Sequence, residues 1–168
     1  MTQTQTRGPR LSPEAGRSPD AVAGVQQILK SIYAGGVPRH TLELVHMRAS
    51  QINGCSACIA YGIKAAEGSG ISAERLLALP GWRESPAFDD AERAALALTE
   101  AITHLADHPD VVTDEIWAEA AEHYDEPGLS ALVSMAALTN FFNRVNTTVR
   151  AQPDPELLDS RAAHIGRT

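Results

Sequence analysis

Apolar residues in this chain recur three and four positions apart, and the rhythm is broken chiefly at glycine and proline. That spacing lays one face of a helix against a core, so the pattern predicts closely packed helices and little sheet. Ser18-Pro19-Asp20 opens a first helix whose Ala21, Val22, Val25, Ile28, Leu29 and Ile32 form an apolar face ending at Gly35-Gly36. A second runs from about Thr41 to Asn53 and stops at Gly54, where a residue without Cβ takes the left-handed conformation of a helix end. From Cys55 to about Glu67 the composition is again helical, until Gly68-Ser69-Gly70 breaks it.

A short helix from Ser72 to Leu79 leads into Pro80-Gly81-Trp82, and a longer one from about Asp89 to Ala106 carries Ala94, Leu98, Ala101, Ile102 and Leu105. Thr113 caps a helix reaching about Tyr124; Ile116, not an acid, stands three residues on, so this is an ordinary cap and not a capping box. The last helix runs from about Gly128 to Val149. Its Leu132, Val133, Met135, Ala136, Leu138, Phe141, Phe142 and Val145 spread over more than one face, which calls for burial by the core on one side and by a subunit neighbour on another. Pro153 and Pro155 punctuate a polar tail.

The division expected is a disordered leader over residues 1–18, one all-α domain over 19–150 and a polar tail over 151–168. A chain of 168 residues with 43% apolar residues can bury an ordinary single core. Fourteen basic residues against 21 acidic ones give a net charge of −7, with no Lys/Arg cluster to neutralise phosphates and no basic amphipathic helix to lie on a bilayer. Nucleic acid and membrane are therefore excluded as expected partners. Arg7, Arg10 and Arg17 are followed by no apolar signal-peptide core, and no stretch approaches the roughly 20 apolar residues of a spanning helix, which points to the cytoplasm.

The chemistry concentrates in ELVHMRASQINGCSACIAYG, residues 43–62, which holds the only two cysteines, Cys55 and Cys58. In a reducing compartment such a pair is more often catalytic, redox-active or metal-binding than a structural staple. Two residues apart at the first turn of a helix, the sulfurs can reach each other, and the amide N–H groups there stabilise a thiolate. A thiolate attacks a peroxide O–O bond, becomes a sulfenic acid, and is captured by its neighbour as a disulfide that a reductant reopens. Steps of about 100° per residue place Glu43, His46 and Ser50 on one stripe of the second helix, beside the core stripe Leu42, Val45, Ala49 and Ile52. A carboxylate near a thiol is a general base, directly or through water.

Blander readings stand beside these. The cysteines would serve as small buried apolar residues, Glu43 as a solvated residue paired with Arg39, and His46 as a packed or surface histidine. Zinc lacks ligands, since the one H-x-x-x-H, His104 to His108, is remote from the C-x-x-C. Ser50 and Tyr61 are candidate hydrogen-bond partners, and Trp82 and Trp117 are core or interface anchors.

Glu43, eleven residues, then Cys55-Ser56-Ala57-Cys58, together with the downstream GWRESPAFDDAERAALALTEAITHLAD and the final LTNFFNRVN, resembles the AhpD-like alkylhydroperoxidases of the carboxymuconolactone decarboxylase superfamily. The resemblance covers about residues 20 to 150. It implies an all-α fold, homo-oligomers (a trimer or hexamer) and thiol-dependent reduction of hydroperoxides, with no cofactor and with electrons from a dihydrolipoamide-type or thioredoxin-like partner. It also implies Glu43 as distal base, Cys58 as the thiol that becomes a sulfenic acid and Cys55 as its partner. Helix-end electrostatics alone would favour Cys55 as the attacking sulfur, as the more exposed of the two. The family pattern C-x-x-C-x-x-x-H places a relay histidine where this chain has Gly62, and His46, on the Glu43 stripe, is the candidate substitute. Rival readings are a redox sensor or inactive relative, a lactone decarboxylase-type enzyme that would not need the C-x-x-C, and a scaffold with incidental cysteines.

Overall fold

The computed structural model describes residues 8–12, 18–106 and 110–153. Among these residues the order is α1 (Pro19–Tyr33), α2 (Arg39–Ile52), α3 (Ser56–Gly68), α4 (Ala73–Ala78), a 3₁₀ turn (Leu79–Gly81), α5 (Asp90–Thr103), α6 (Asp114–His123) and α7 (Glu126–Val149), with no strand. The all-α expectation holds.

The helix starts follow from their caps. Ser72 Oγ accepts the N–H of Arg75, and Thr113 Oγ1 accepts that of Ile116, as expected of an ordinary cap. Asp89 and Glu92 form a reciprocal capping box, with the Glu92 N–H on the Asp89 carboxylate at 2.8 Å and the Asp89 N–H on the Glu92 carboxylate at 3.2 Å. Asp125 accepts the Gly128 N–H at 2.9 Å, so α7 begins at Glu126, two residues ahead of the sequence reading.

Helix α2 is the centre of the bundle, packed on α3, α5 and α7. Its Leu42 and Val45 enter one apolar cluster with Ile32, Leu98, Leu132 and Met135. Leu44 and Met47 enter another with Leu76, Leu79, Trp82, Phe88 and Leu96. Because α2 is covered on both sides, its polar Glu43 and Ser50 are buried along with its apolar residues. That burial brings chemistry into the interior.

Two sequence expectations need correction. The apolar face of α1 is not fully covered: Ile32 is buried and Leu29 partly so, but Val22 and Ile28 remain 42% and 46% exposed, because among the described residues no other element covers that side. Helix α5 stops at Thr103 with His104 as its C-cap, which leaves Leu105 beyond the end and 60% exposed. Of the two tryptophans, expected as core or interface anchors, Trp82 is in the core and Trp117 is 44% exposed on the surface. Within the leader, Arg10 donates its N–H and its guanidinium to the carbonyls of Val149 and Thr148, both at 2.8 Å. Residues 1–7, 13–17 and 154–168, including Pro155, lie outside the described residues, as does His108. No helix among the described residues is long and apolar enough to cross a membrane.

One carboxylate ties α2, α5 and the segment after the 3₁₀ turn. Glu100 accepts from Arg48 Nε at 2.7 Å, Trp82 Nε1 at 2.8 Å and Arg83 Nη2 at 2.6 Å. Burial pushes its pKa up, but those three donors outweigh it and hold the group below the ordinary carboxylate range. Glu100→Ala would leave Arg48 Nε and the indole N–H without an acceptor, at an expected loss of about 2–4 kcal/mol. Chemical denaturation at neutral pH measures it, and a loss within experimental error would show that the node contributes nothing.

Candidate active site

The turn between α2 and α3 carries the thiols. Gly54 follows the end of α2 with φ of 65°, the left-handed region that a glycine enters freely, and the chain then reverses into α3. The Cys55 N–H returns to the Ser50 carbonyl at 3.1 Å. Cys55 is the N-cap of α3, and its Sγ accepts the Cys58 N–H at 3.3 Å. Cys55 and Cys58 are joined as a disulfide, their Cα atoms 5.3 Å apart. Cys55 thus takes the place of the usual serine or aspartate at a helix start, where orphan N–H groups favour an anionic sulfur. Its expected greater exposure is not seen: Cys55 is 2% and Cys58 4% exposed.

Helix α7 supplies a row of amides to this turn. Asn53 Nδ2 donates to Asn140 Oδ1 at 2.9 Å and Asn143 Oδ1 at 2.8 Å. Asn143 Nδ2 donates to Ser50 Oγ at 3.1 Å, and Asn140 Nδ2 to Thr103 Oγ1 at 3.3 Å. One turn further along, Asn146 Nδ2 reaches Cys58 Sγ at 3.4 Å. Sequence reasoning noted LTNFFNRVN only as part of a resemblance. The usable signal was asparagine at three-residue intervals inside an apolar helix, a polar stripe that a buried helix cannot leave unpaired.

Glu43, His46 and Ser50 take different neighbours. Ser50 turns to α7, as above. Glu43, 3% exposed, faces the end of α1, where the Tyr33 hydroxyl donates to it at 3.0 Å and Arg39 Nε lies 3.7 Å away. The solvated reading of Glu43 is therefore wrong, although its pairing with Arg39 is right. Burial raises the Glu43 pKa, with the Tyr33 hydrogen bond and the Arg39 charge opposing it. Tyr33, a partner sequence reasoning missed, is pushed up to about 12 by burial and by the Glu43 charge.

His46 faces α3. Its ring meets that of Tyr61 edge-on at 6.0 Å, and burial lowers its pKa to about 4, so the imidazole is neutral at pH 7. A Cβ built on Gly62 would fall 3.0 Å from both Cε1 and Nδ1 of His46 and closer still to Met47 Sδ. The space a side chain at position 62 would use is taken. No described hydrogen bond joins Glu43 or His46 to a sulfur or to each other. Among the described residues no group of three or more His, Cys, Asp or Glu side chains could hold a metal ion.

The family model for the carboxymuconolactone decarboxylase family matches residues 19–101, from α1 through most of α5, a span that includes Glu43, His46 and both cysteines. The uncharacterised protein YdfG of Bacillus subtilis is 32% identical over 129 residues, 77% of this chain and 86% of its own length. The crystal structure of a protein of unknown function from Agrobacterium tumefaciens, proposed to be the antioxidant defence protein AhpD, superposes with a TM-score of 0.78 at 26% identity, covering 88% of this chain and 99% of that one. A cysteine-to-alanine variant of the debrominase Bmp8, in complex with 2,3,4-tribromopyrrole, superposes with a TM-score of 0.73 at 25% identity, over 87% of this chain and 79% of its own. With fold, element order and sequence in agreement across nearly the whole helical bundle, this chain belongs to the carboxymuconolactone decarboxylase family, among its AhpD-like members.

Proposed function

We propose that this protein is a thiol-dependent peroxidase that reduces hydroperoxides through a Cys55/Cys58 dithiol–disulfide cycle. The observation that carries the reading is the bond between the two sulfurs across the start of α3, which is the product state of such a cycle. Cys58 thiolate attacks one peroxide oxygen, the O–O bond breaks, and the alkoxide that leaves takes up a proton to become an alcohol. Cys55 then attacks the Cys58 sulfenic sulfur, the S–O bond breaks, and water departs as the disulfide forms. A dithiol, either dihydrolipoamide-type or on a thioredoxin-like protein, returns two electrons and two protons. The cycle suits a reducing cytoplasm.

Proton handling falls to Glu43 and His46 through water. At pH 7 the neutral imidazole of His46 can accept a proton in transit, and its raised pKa makes Glu43 a stronger base than an ordinary carboxylate. His46 stands in for the histidine of the family pattern, since its ring fills the volume at Gly62. Similarity to a debrominase widens the oxidants to be tried, because a dithiol can also deliver two electrons to a carbon–bromine bond. Steady-state consumption of an organic hydroperoxide, with a bromopyrrole assayed beside it, is the test. Wild type should turn over with a dithiol donor, and Cys55→Ser and Cys58→Ser should fall to background. Stoichiometric oxidation without turnover would favour a redox sensor, and full activity in the double Cys→Ser variant would exclude thiol chemistry altogether.

His46→Ala should lower the turnover rate by about 10²-fold or more, in the range typical of general acid–base assistance. Gly62→His should add no rate and should cost about 1–3 kcal/mol of stability by overpacking against His46 and Met47. Steady-state rates and denaturation curves on the two variants check this together. An unchanged rate in His46→Ala, or a faster and undiminished Gly62→His protein, would remove His46 from the relay.

The uncovered Val22 and Ile28 of α1, with Phe141 and Val145 of α7, 54% and 40% exposed, support a homo-oligomer, since α1 packs on α7 and the four lie on neighbouring helices. Light scattering should give a multiple of the 17.9 kDa chain mass, a trimer or hexamer. A monomer at micromolar concentration would contradict it.

A further inference from the structure

Cys55 and Cys58 draw on different donors. The N–H of the first turn of α3 goes to Cys55 Sγ, so the helix end serves the first sulfur. Cys58 Sγ receives the Asn146 amide, which comes from α7, 88 residues away in the chain. We propose that Asn146 stabilises the thiolate of Cys58 and thereby sets both its reactivity and the redox poise of the pair. This rests on the reading of Cys55 and Cys58 as a redox couple.

The physical reason is a difference between oxidation states. An anionic sulfur accepts a hydrogen bond more strongly than a neutral disulfide sulfur, so the contact contributes more after reduction than before it. Reduction of the disulfide by an external dithiol breaks one S–S bond here, forms one in the donor, and transfers two electrons and two protons. Whatever stabilises the Cys58 thiolate therefore shifts that equilibrium toward the reduced pair and makes the couple more oxidising. The same contact raises the fraction of Cys58 present as thiolate at a given pH, and the thiolate is the nucleophile.

The donor is well placed to act on the reduced state. Asn140 and Asn143, two turns and one turn earlier on α7, are 5% and 1% exposed and hold the same α2–α3 turn through Asn53 and Ser50, so the approach of α7 to α3 does not depend on the disulfide. Asn146 itself is only half-buried, and among the described residues its amide nitrogen donates to Cys58 Sγ alone. Its replacement should leave the fold intact. The contact also weighs on which sulfur attacks: helix-end electrostatics favour Cys55, and Asn146 gives Cys58 a donor of its own.

Two readouts on the full-length protein test this. In a dithiol redox buffer, Asn146→Ala should shift the equilibrium about tenfold toward the disulfide, equivalent to about 30 mV for a two-electron couple. Asn146→Asp should shift it further, because a carboxylate beside the sulfur opposes the thiolate. In a Cys55→Ser background, alkylation of Cys58 by iodoacetamide at neutral pH should slow by up to about tenfold in Asn146→Ala and more in Asn146→Asp, with unchanged far-UV circular dichroism. Equilibrium constants and alkylation rates equal to those of Asn146-containing protein in both variants, or shifts in the opposite direction, would overturn the proposal. A wild-type pair that forms no reversible disulfide would sink the peroxidase cycle, and the alkylation comparison would still decide the role of Asn146.

Discussion

The side-chain amide of Asn53, held between the oxygens of Asn140 and Asn143, fastens the turn between α2 and α3 to the middle of α7, and the geometry of both thiols depends on it. Asn143 is 1% exposed and Ser50 0%, so each polar atom there must find its partner inside the protein. An unpaired one would cost on the order of 1–3 kcal/mol, which makes the network a specification of one arrangement and not a loose attraction. The apolar side of α7, with Leu132, Met135 and Ala136, packs into the core formed with α1, α2 and α5. A single helix therefore both closes the core and positions the α2–α3 turn. With that turn held, the left-handed Gly54 reverses the chain and Cys55 falls on the N-cap position of α3.

Glu100 and Glu43, both drawn in from solvent, contrast in their surroundings. Glu100 is surrounded by two arginines and an indole N–H, and its proton affinity falls below the ordinary range. Glu43 is buried more deeply, yet it has one neutral hydroxyl and one arginine at 3.7 Å whose side chain is 66% exposed, and its proton affinity rises. The first arrangement is that of a structural tie, and the second leaves a group poised to take up or give a proton. His46, on the next turn of the same helix, is held neutral at pH 7 by burial, which lowers its pKa to about 4. The blander possibility for Glu43, a surface residue in an ion pair, fails on burial.

Much of the fold is legible because glycine and proline punctuate it. Gly35-Gly36, Gly54 and Gly68-Ser69-Gly70 fall at or just beyond helix ends, and the Leu42, Val45 and Ala49 stripe is buried as the periodicity implies. Elsewhere the pattern was ambiguous for physical reasons. The apolar face of α1 says that something should cover Val22 and Ile28, but not that no element among the described residues does so. Leu105 continues the spacing of α5 although the helix has already ended at His104. At the site, the cysteines, Glu43 and the anomaly at Gly62 were visible in one short segment. Tyr33, Asn143 and Asn146 were not, because their relevance depends on which helices pack together, and periodicity within one helix carries no information about that. The absence of a side chain at position 62 was readable; its use, to admit His46 and Met47 against α3, depends on how α2 packs on α3.

Thiol chemistry at the α2–α3 turn is tested most directly in a single turnover. Fully reduced protein is mixed with one equivalent of an organic hydroperoxide, the alcohol formed is quantified, and free thiols are counted by alkylation and mass spectrometry. One alcohol per chain, two thiols lost and a new bond located between Cys55 and Cys58 is the expected result. Alcohol formed while both thiols stay free, or peroxide left intact beside a reduced pair, would contradict it.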